Sequence, residues 1–196
     1  MQLTEERIEE IIANSYKNFH AKGMDYLCLK RTEWHTQKVY FLDGDVTKIP
    51  EVINPHNHRY DFRTQVLAGV MSNSEYIETE ESDGKVYQEF EWRTPLLGGD
   101  GFTWKKETRL FETKRFFYRK DGFYGMDARD FHTIRMHADQ TVLLLDQWAD
   151  IVPEDEPTIT FVPDKTAPSL DGLYERFTAD EITKRVKILN SLGMEL

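Results

Sequence analysis

The sequence predicts an all-β core, a sandwich or barrel, bracketed by an N-terminal and a C-terminal helix. Three observations lead there. Short runs rich in Val, Thr, Tyr, Phe and Trp recur between Gly, Asp and Pro signals, with no helical pattern between them. Both ends instead carry apolar residues at helical spacing. No internal repeat, linker or low-complexity block divides the 196 residues, a length suited to one domain over 1–196 whose single core buries about 70% of the unfolded surface.

Ile8, Ile11, Ile12, Tyr16 and Phe19 form the first apolar stripe. They predict a helix over 4–22, capped by Thr4, with acids in its first turn and Gly23 to end it. His20 then serves as a favourable cation at the helix end or faces solvent. From Tyr26 the period changes to two. Strands are expected at 26–30 and 37–42, with a turn at Asp43-Gly44-Asp45. His35, beside Trp34, reads as a half-buried hydrogen-bonding residue.

Pro50 and Pro55 precede a buried strand from Phe62 to Met71. Glu75 to Thr79 and Lys85 to Trp92 flank Ser82-Asp83-Gly84 and predict a hairpin with one solvated, glutamate-rich face. The loop Gly98-Gly99-Asp100-Gly101 lacks the Lys-Ser/Thr ending of a phosphate cradle. Strands follow at 102–110, 114–119, 131–137 and 141–148, with a turn at Asp121-Gly122. An acidic loop from Pro153 to Pro157 leads to an edge strand at 158–162, which closes a β core of about 26–162. Thr178 and Glu181 form a capping box before Ile182, Val186, Ile188 and Leu189, so a second helix is expected over 179–192.

Composition narrows the function. A net charge of −10 argues against a nucleic-acid or anionic-membrane partner, because phosphate binding needs clustered Lys and Arg. A small molecule or a protein is the expected partner. The mean hydropathy of −0.62, the lack of an apolar run of membrane-spanning length and the acidic N-terminus point to a cytoplasmic protein. Cys28 is the single cysteine, read as buried and inert, so neither an internal disulfide nor a thiolate zinc cluster is available.

The chemistry concentrates at Pro55 to Gly69, PHNHRYDFRTQVLAG. Side chains alternate along an extended strand, so His56 and His58 point the same way and can offer two imidazoles to one cation. His132, in phase with Ile134 and Met136, faces the same interior, whereas His137 is out of phase. Asp61 and Asp130 either orient an imidazole by accepting its other N–H or serve as turn and cap residues. Arg59, Tyr60 and Arg129 either position an anionic substrate or lie on the surface.

These residues resemble the cupin superfamily. Its first motif reads HxH, a short gap, a glutamate, six residues and a glycine; His56, His58, Phe62 and Gly69 hold those positions. Its second, a glycine-rich turn before a histidine, is matched loosely by Gly122 and His132. The resemblance covers about 35–150 and implies a cupin-type β-barrel or jelly roll. Phe62 replaces the glutamate ligand, which leaves His56, His58 and His132 as metal ligands and catalytic centre, similar to the three-histidine thiol dioxygenases of that superfamily. The implied cofactor is Fe(II), with Ni, Mn or Zn as other divalent candidates. The implied function is a mononuclear non-haem iron dioxygenase-like oxidoreductase acting on a small polar substrate, and the implied assembly a homodimer. Two other functions fit the same residues: a non-catalytic cupin that binds or sequesters a small ligand, and, more distantly, a metal-independent sugar epimerase with a histidine base and a tyrosine acid.

Overall fold

The computed structural model describes residues 3–19, 23–42, 54–194 and 196. The Thr4 hydroxyl accepts the Arg7 N–H at 3.3 Å and starts helix α1 (Glu5–Asn14). The helix stops earlier than its apolar spacing predicts. Ser15 caps it in extended backbone, and its hydroxyl accepts the Cys28 N–H at 2.9 Å, while Tyr16 pairs with Tyr26. A strand-like pairing thus outcompetes local periodicity. Three carbonyls at the helix end, of Ile12, Ala13 and Ser15, accept from Arg176, which also lies over the Tyr16 ring at 3.9 Å. His20, the end of the expected helix, Pro50 and the Asp43-Gly44-Asp45 turn fall outside the described residues.

The strands are β1 (Met24–Arg31), β2 (His35–Leu42), β3 (Tyr60–Ala68), β4 (Val70–Glu78), β5 (Lys85–Arg93), β6 (Gly101–Arg119), β7 (Phe123–Met126), β8 (Phe131–Met136), β9 (Thr141–Asp150) and β10 (Thr158–Val162). They form two antiparallel five-stranded sheets, ordered β1-β2-β9-β3-β7 and β10-β5-β6-β4-β8. One core lies in the barrel interior. It gathers Tyr26, Tyr40, Phe62, Met71, Tyr124, Ile134 and Leu143 from both sheets. A second lies on the outer face of the first sheet, where Leu27, Val39, Phe41 and Val142 meet α1 and helix α2 (Ala179–Ser191). Burying each such apolar side chain contributes about 1.5–3 kcal/mol. The predicted capping box starts α2: Thr178 and Glu181 each bond the other's backbone N–H. No helix among the described residues is long and apolar enough to cross a membrane.

Three expectations for the core change. The run Phe62 to Met71 is two strands, because Gly69 turns at φ +85° and hands the chain from the first sheet to the second. The 75–79 and 85–92 segments do not pair as a hairpin; β4 and β5 both pair with β6. β6 itself is continuous over 19 residues where two strands were expected. A bulge at Thr113, whose hydroxyl donates to the Glu75 carbonyl at 3.2 Å, absorbs the polar break without ending the strand.

Residues 55–57 are held without belonging to a strand. His56 N–H and the His132 carbonyl, and the reverse pair, bond at 3.0 Å. On the other side Phe161 N–H donates to the Pro55 carbonyl and Asn57 N–H to that of Ile159. This short segment therefore knits β8 to β10.

Candidate metal centre

The segment that joins β8 to β10 also presents the first two imidazoles. His56 and His58 lie on one face, ring centroids 4.7 Å apart, as their spacing predicts. His132, at the start of β8, faces them at 5.0 and 5.1 Å. One nitrogen from each lies within 4.8 Å of the others, and the His58 and His132 Nε2 atoms are 2.9 Å apart. Two nitrogens bound at right angles to one ion, each at about 2.1 Å, would sit about 3.0 Å apart.

Two tautomers are set by hydrogen bonds. His56 Nδ1 donates to the Asn54 carbonyl at 2.8 Å, and His132 Nδ1 to Asn73 Oδ1 at 2.6 Å. Each therefore keeps an Nε2 lone pair for a ligand. The Asn73 amide is itself oriented, its Nδ2 donating to Met126 Sδ at 3.5 Å. Burial holds the His56 imidazole below its usual pKa against the pull of the Asn54 carbonyl. It holds His132 well below, helped by His56. Both are neutral at pH 7, the form that binds metal. Phe62, 2% exposed, packs edge-on against His58 at 4.7 Å, so a hydrocarbon wall stands at the position where the cupin motif it resembles has a glutamate.

Two five-stranded antiparallel sheets enclose these imidazoles, with a histidine pair before β3 and a third histidine across the barrel on β8. The arrangement resembles that of a cupin barrel. No protein-family model matches the chain, and no curated protein matches it. Solved structures that do match include hydroxypropylphosphonic acid epoxidase from S. wedmorenis, at 13% identity and TM-score 0.42 over 68% of this chain and 53% of that one. A second structure, of FeII HppE, aligns at 12% identity and TM-score 0.43 over 75% of this chain and 58% of that one. The cupin domain of Schizosaccharomyces pombe Cnp3 aligns at 12% identity and TM-score 0.37 over 66% of each chain. The chain thus spans a little over half the length of the first two.

Above the imidazoles the barrel opens into a cavity of about 510 Å³, lined in part by His56, His58, Arg59 and Tyr60. Arg59 is fully engaged. It donates to the Asp150 carboxylate at 3.3 Å, to the Val152 and Glu156 carbonyls at 2.9 and 2.6 Å, and to that of Pro153. Arg129 is exposed and does not itself line the cavity; it grips the carboxylate of Glu156, which does, at 2.6 and 3.2 Å. Asp61 accepts the Ala128 N–H at 2.8 Å and so pins the loop before β8. Asp130 is exposed, and partial burial together with Asp127 and Glu75 raises its pKa. The imidazole N–H groups that these aspartates were candidates to orient are held by Asn54 and Asn73 instead.

Asn73 is the residue that sequence reasoning missed. It lies in a polar run, Ser72-Asn73-Ser74-Glu75, whose only clue is its phase with Met71. Replacing Asn73 with alanine is expected to weaken metal affinity 10–100-fold while leaving the stoichiometry unchanged, as read by competition with a chromophoric chelator. The remaining described histidines lie elsewhere. His35 bonds Asp146 at 2.9 Å, and His137 bonds Ser72 at 2.9 Å beside the Phe117 ring.

Lys38 is a second unforeseen group. Its side chain points into the barrel at 5% residue exposure, bonds Gln147 Oε1 at 2.8 Å, and lies 5.1–5.8 Å from the ring centroids of Tyr26, Tyr60 and Phe19. Burial, then the nearby Arg31, pushes its pKa down to about 8, with Cys28 and Asp150 pulling the other way. Between that value and 10.5 the unfolded chain binds the extra proton, so stability rises with pH. From pH 8 to pH 9.5 the gain is about 1.5 kcal/mol. The window ends there because burial raises the pKa of Tyr26, Tyr40, Tyr60 and Tyr124, whose ionisation in the unfolded chain reverses the trend above about pH 10. Urea titrations of the wild type and Lys38→Met are expected to diverge over this range, the variant staying flat. Parallel curves would contradict the assignment.

Proposed function

We propose that the chain is a metal-dependent cupin enzyme, a mononuclear non-haem iron oxygenase of the dioxygenase type acting on a small molecule held in the cavity. One observation carries this reading: three imidazoles converge beside an open pocket that two of them line, and His56 and His132 are neutral with their Nε2 lone pairs set by hydrogen bonds. The donor set fits a borderline divalent ion, for which imidazole is a suitable ligand.

His56, His58 and His132 would hold the ion. When bound, a redox-active ion supplies the electrons that dioxygen chemistry needs and that the lining side chains lack. The protein's own contribution is positional. Asn54 and Asn73 fix two rings, and with no carboxylate among the described residues of the three-histidine cluster an ion there would keep its positive charge to draw in an anionic or chelating donor. Phe62 walls the inner side with hydrocarbon and keeps water from it. Tyr60, its ring 5.4 Å from that of His58, forms the adjoining wall with its phenol held protonated by burial.

Elemental analysis of the purified protein is expected to find about one metal per chain. After anaerobic loading with Fe(II), nitric oxide, a stand-in for dioxygen, is expected to give the S = 3/2 resonance of an open non-haem site, lost in His58→Ala. A protein that takes up no iron, or iron that never meets nitric oxide, would overturn the reading. Stoichiometric zinc, nickel or manganese retained in preference to iron would redirect it to another metal.

A further inference from the structure

The cavity above the imidazoles has walls of a definite chemistry. Trp92 and Phe102 meet at 4.3 Å and 40°, Phe19 and Tyr174 at 5.7 Å and 84°, and all four line the cavity together with Tyr60. These rings come from widely separated parts of the chain: the segment after α1, the ends of β5 and β6, and the stretch before α2. Phe19 and Tyr60 also pack against the interior core, Phe19 meeting Tyr26 edge-on at 4.6 Å, whereas Trp92, Phe102 and Tyr174 belong to neither core.

The polar groups of the same wall are largely committed. Arg59 spends its guanidinium on Asp150 and three carbonyls, and the Glu156 carboxylate is gripped by Arg129. Asn57 Oδ1 accepts the Ile159 N–H at 2.7 Å. Arg93, exposed and also part of the lining, donates to the Asp155 carbonyl at 2.7 Å, and exposed Glu154 lines the same cavity with the opposite charge. The charged lining residues are therefore balanced, Arg59 and Arg93 against Glu154 and Glu156, and five rings supply much of the apolar lining.

We propose that this cavity takes a ligand with a compact chelating head and a flat apolar body, the head directed to His56 and His58 and the body packed between Trp92–Phe102 and Phe19–Tyr174. The inference rests on the metal-centre reading for the head; the body follows from the wall. A volume of about 510 Å³ accommodates a ligand of one or two rings. Flat faces suit this wall because offset and edge-to-face ring contacts add about 0.5–1.5 kcal/mol each beyond the area buried. The small polar substrate implied by resemblance is replaced by an amphipathic one.

The test compares two hydroxamates that share one chelating head, acetohydroxamate and benzohydroxamate, titrated into the Co(II)-loaded full-length protein and followed by the cobalt absorption bands. Benzohydroxamate is expected to bind at least tenfold more tightly. In Trp92→Ala, and separately in Phe102→Leu should the first variant fold poorly, that preference is expected to fall toward unity while acetohydroxamate affinity and cobalt content hold. Equal affinities in the wild type overturn the inference and leave the metal centre standing. Failure to retain cobalt or to bind either hydroxamate overturns the metal reading and the inference with it.

Discussion

Replacing His132 with alanine is expected to reduce bound metal from about one per chain to less than a tenth, and to weaken affinity by more than a hundredfold. The loss should exceed that of Asn73→Ala, because an outer partner costs 10–100-fold whereas His132 donates to the ion itself. The reason lies in placement. His132 is 4% exposed, its Nδ1 proton is given to Asn73, and its Nε2 lies 2.9 Å from that of His58, while the other described histidines, His35 and His137, are bonded elsewhere, to Asp146 and Ser72. The variant should remain folded, because the bonds that tie this position to His56 are made by main-chain atoms at 3.0 Å. Metal analysis beside a far-ultraviolet circular dichroism spectrum separates the outcomes. A folded His132→Ala protein with wild-type metal content would remove His132 from the centre.

Gly69→Ala is expected to destabilise the fold by about 2–5 kcal/mol. Left-handed backbone at φ +85° costs a residue with a Cβ about 1–2 kcal/mol. An added Cβ would also lie 2.3 Å from Thr141 Oγ1 and 2.8 Å from Thr141 Cα, and overpacking of that kind costs about 1–3 kcal/mol. Thr141 is fully buried at the start of β9, its hydroxyl donating to the Ala138 carbonyl at 3.0 Å, so it has little room to retreat. Gly98→Ala is the internal control. Its φ is +82°, yet nothing lies within 4 Å of the added atom, so only the conformational cost applies. Urea denaturation of both variants isolates the steric part. Equal losses would show that the Thr141 contact yields freely.

Where side-chain chemistry and local spacing act alone, the fold was legible. The Thr178/Glu181 capping box starts α2 as expected, and the edge strand 158–162 has its predicted bounds. Period-two phase put His56 and His58 on one face and His132, with Ile134 and Met136, toward the interior; that the three form one set was implied only by the resemblance to cupin motifs. Pairing was not legible in the same way. A long β6 that hydrogen-bonds both β4 and β5 cannot be read from turn signals, because the Ser82-Asp83-Gly84 turn joins strands that do not touch. Ser15 ended α1 early through a bond to Cys28, a contact 13 residues away that helical periodicity does not contain. Asn73 and Lys38 were hidden for another reason. Each is polar on an inward-facing position, where pattern reasoning assigns solvent, and each is satisfied by a partner distant in sequence, His132 or Gln147. Tertiary partners for buried polar groups are where a single sequence is least informative.

The bonds that His56 makes through its main chain, to His132 on one side and through its neighbours to β10 on the other, carry a consequence for loading. Peptide groups, present with or without an ion, hold the seam of the barrel, so the barrel is expected to keep its shape whether or not an ion is bound. In small zinc domains much of the binding free energy is consumed in organising the polypeptide, and chelators unfold them. Here that expenditure falls away. A chelator should strip the ion and leave the barrel intact, and reloading should need no refolding step, which makes metal exchange a reversible trait of a finished scaffold.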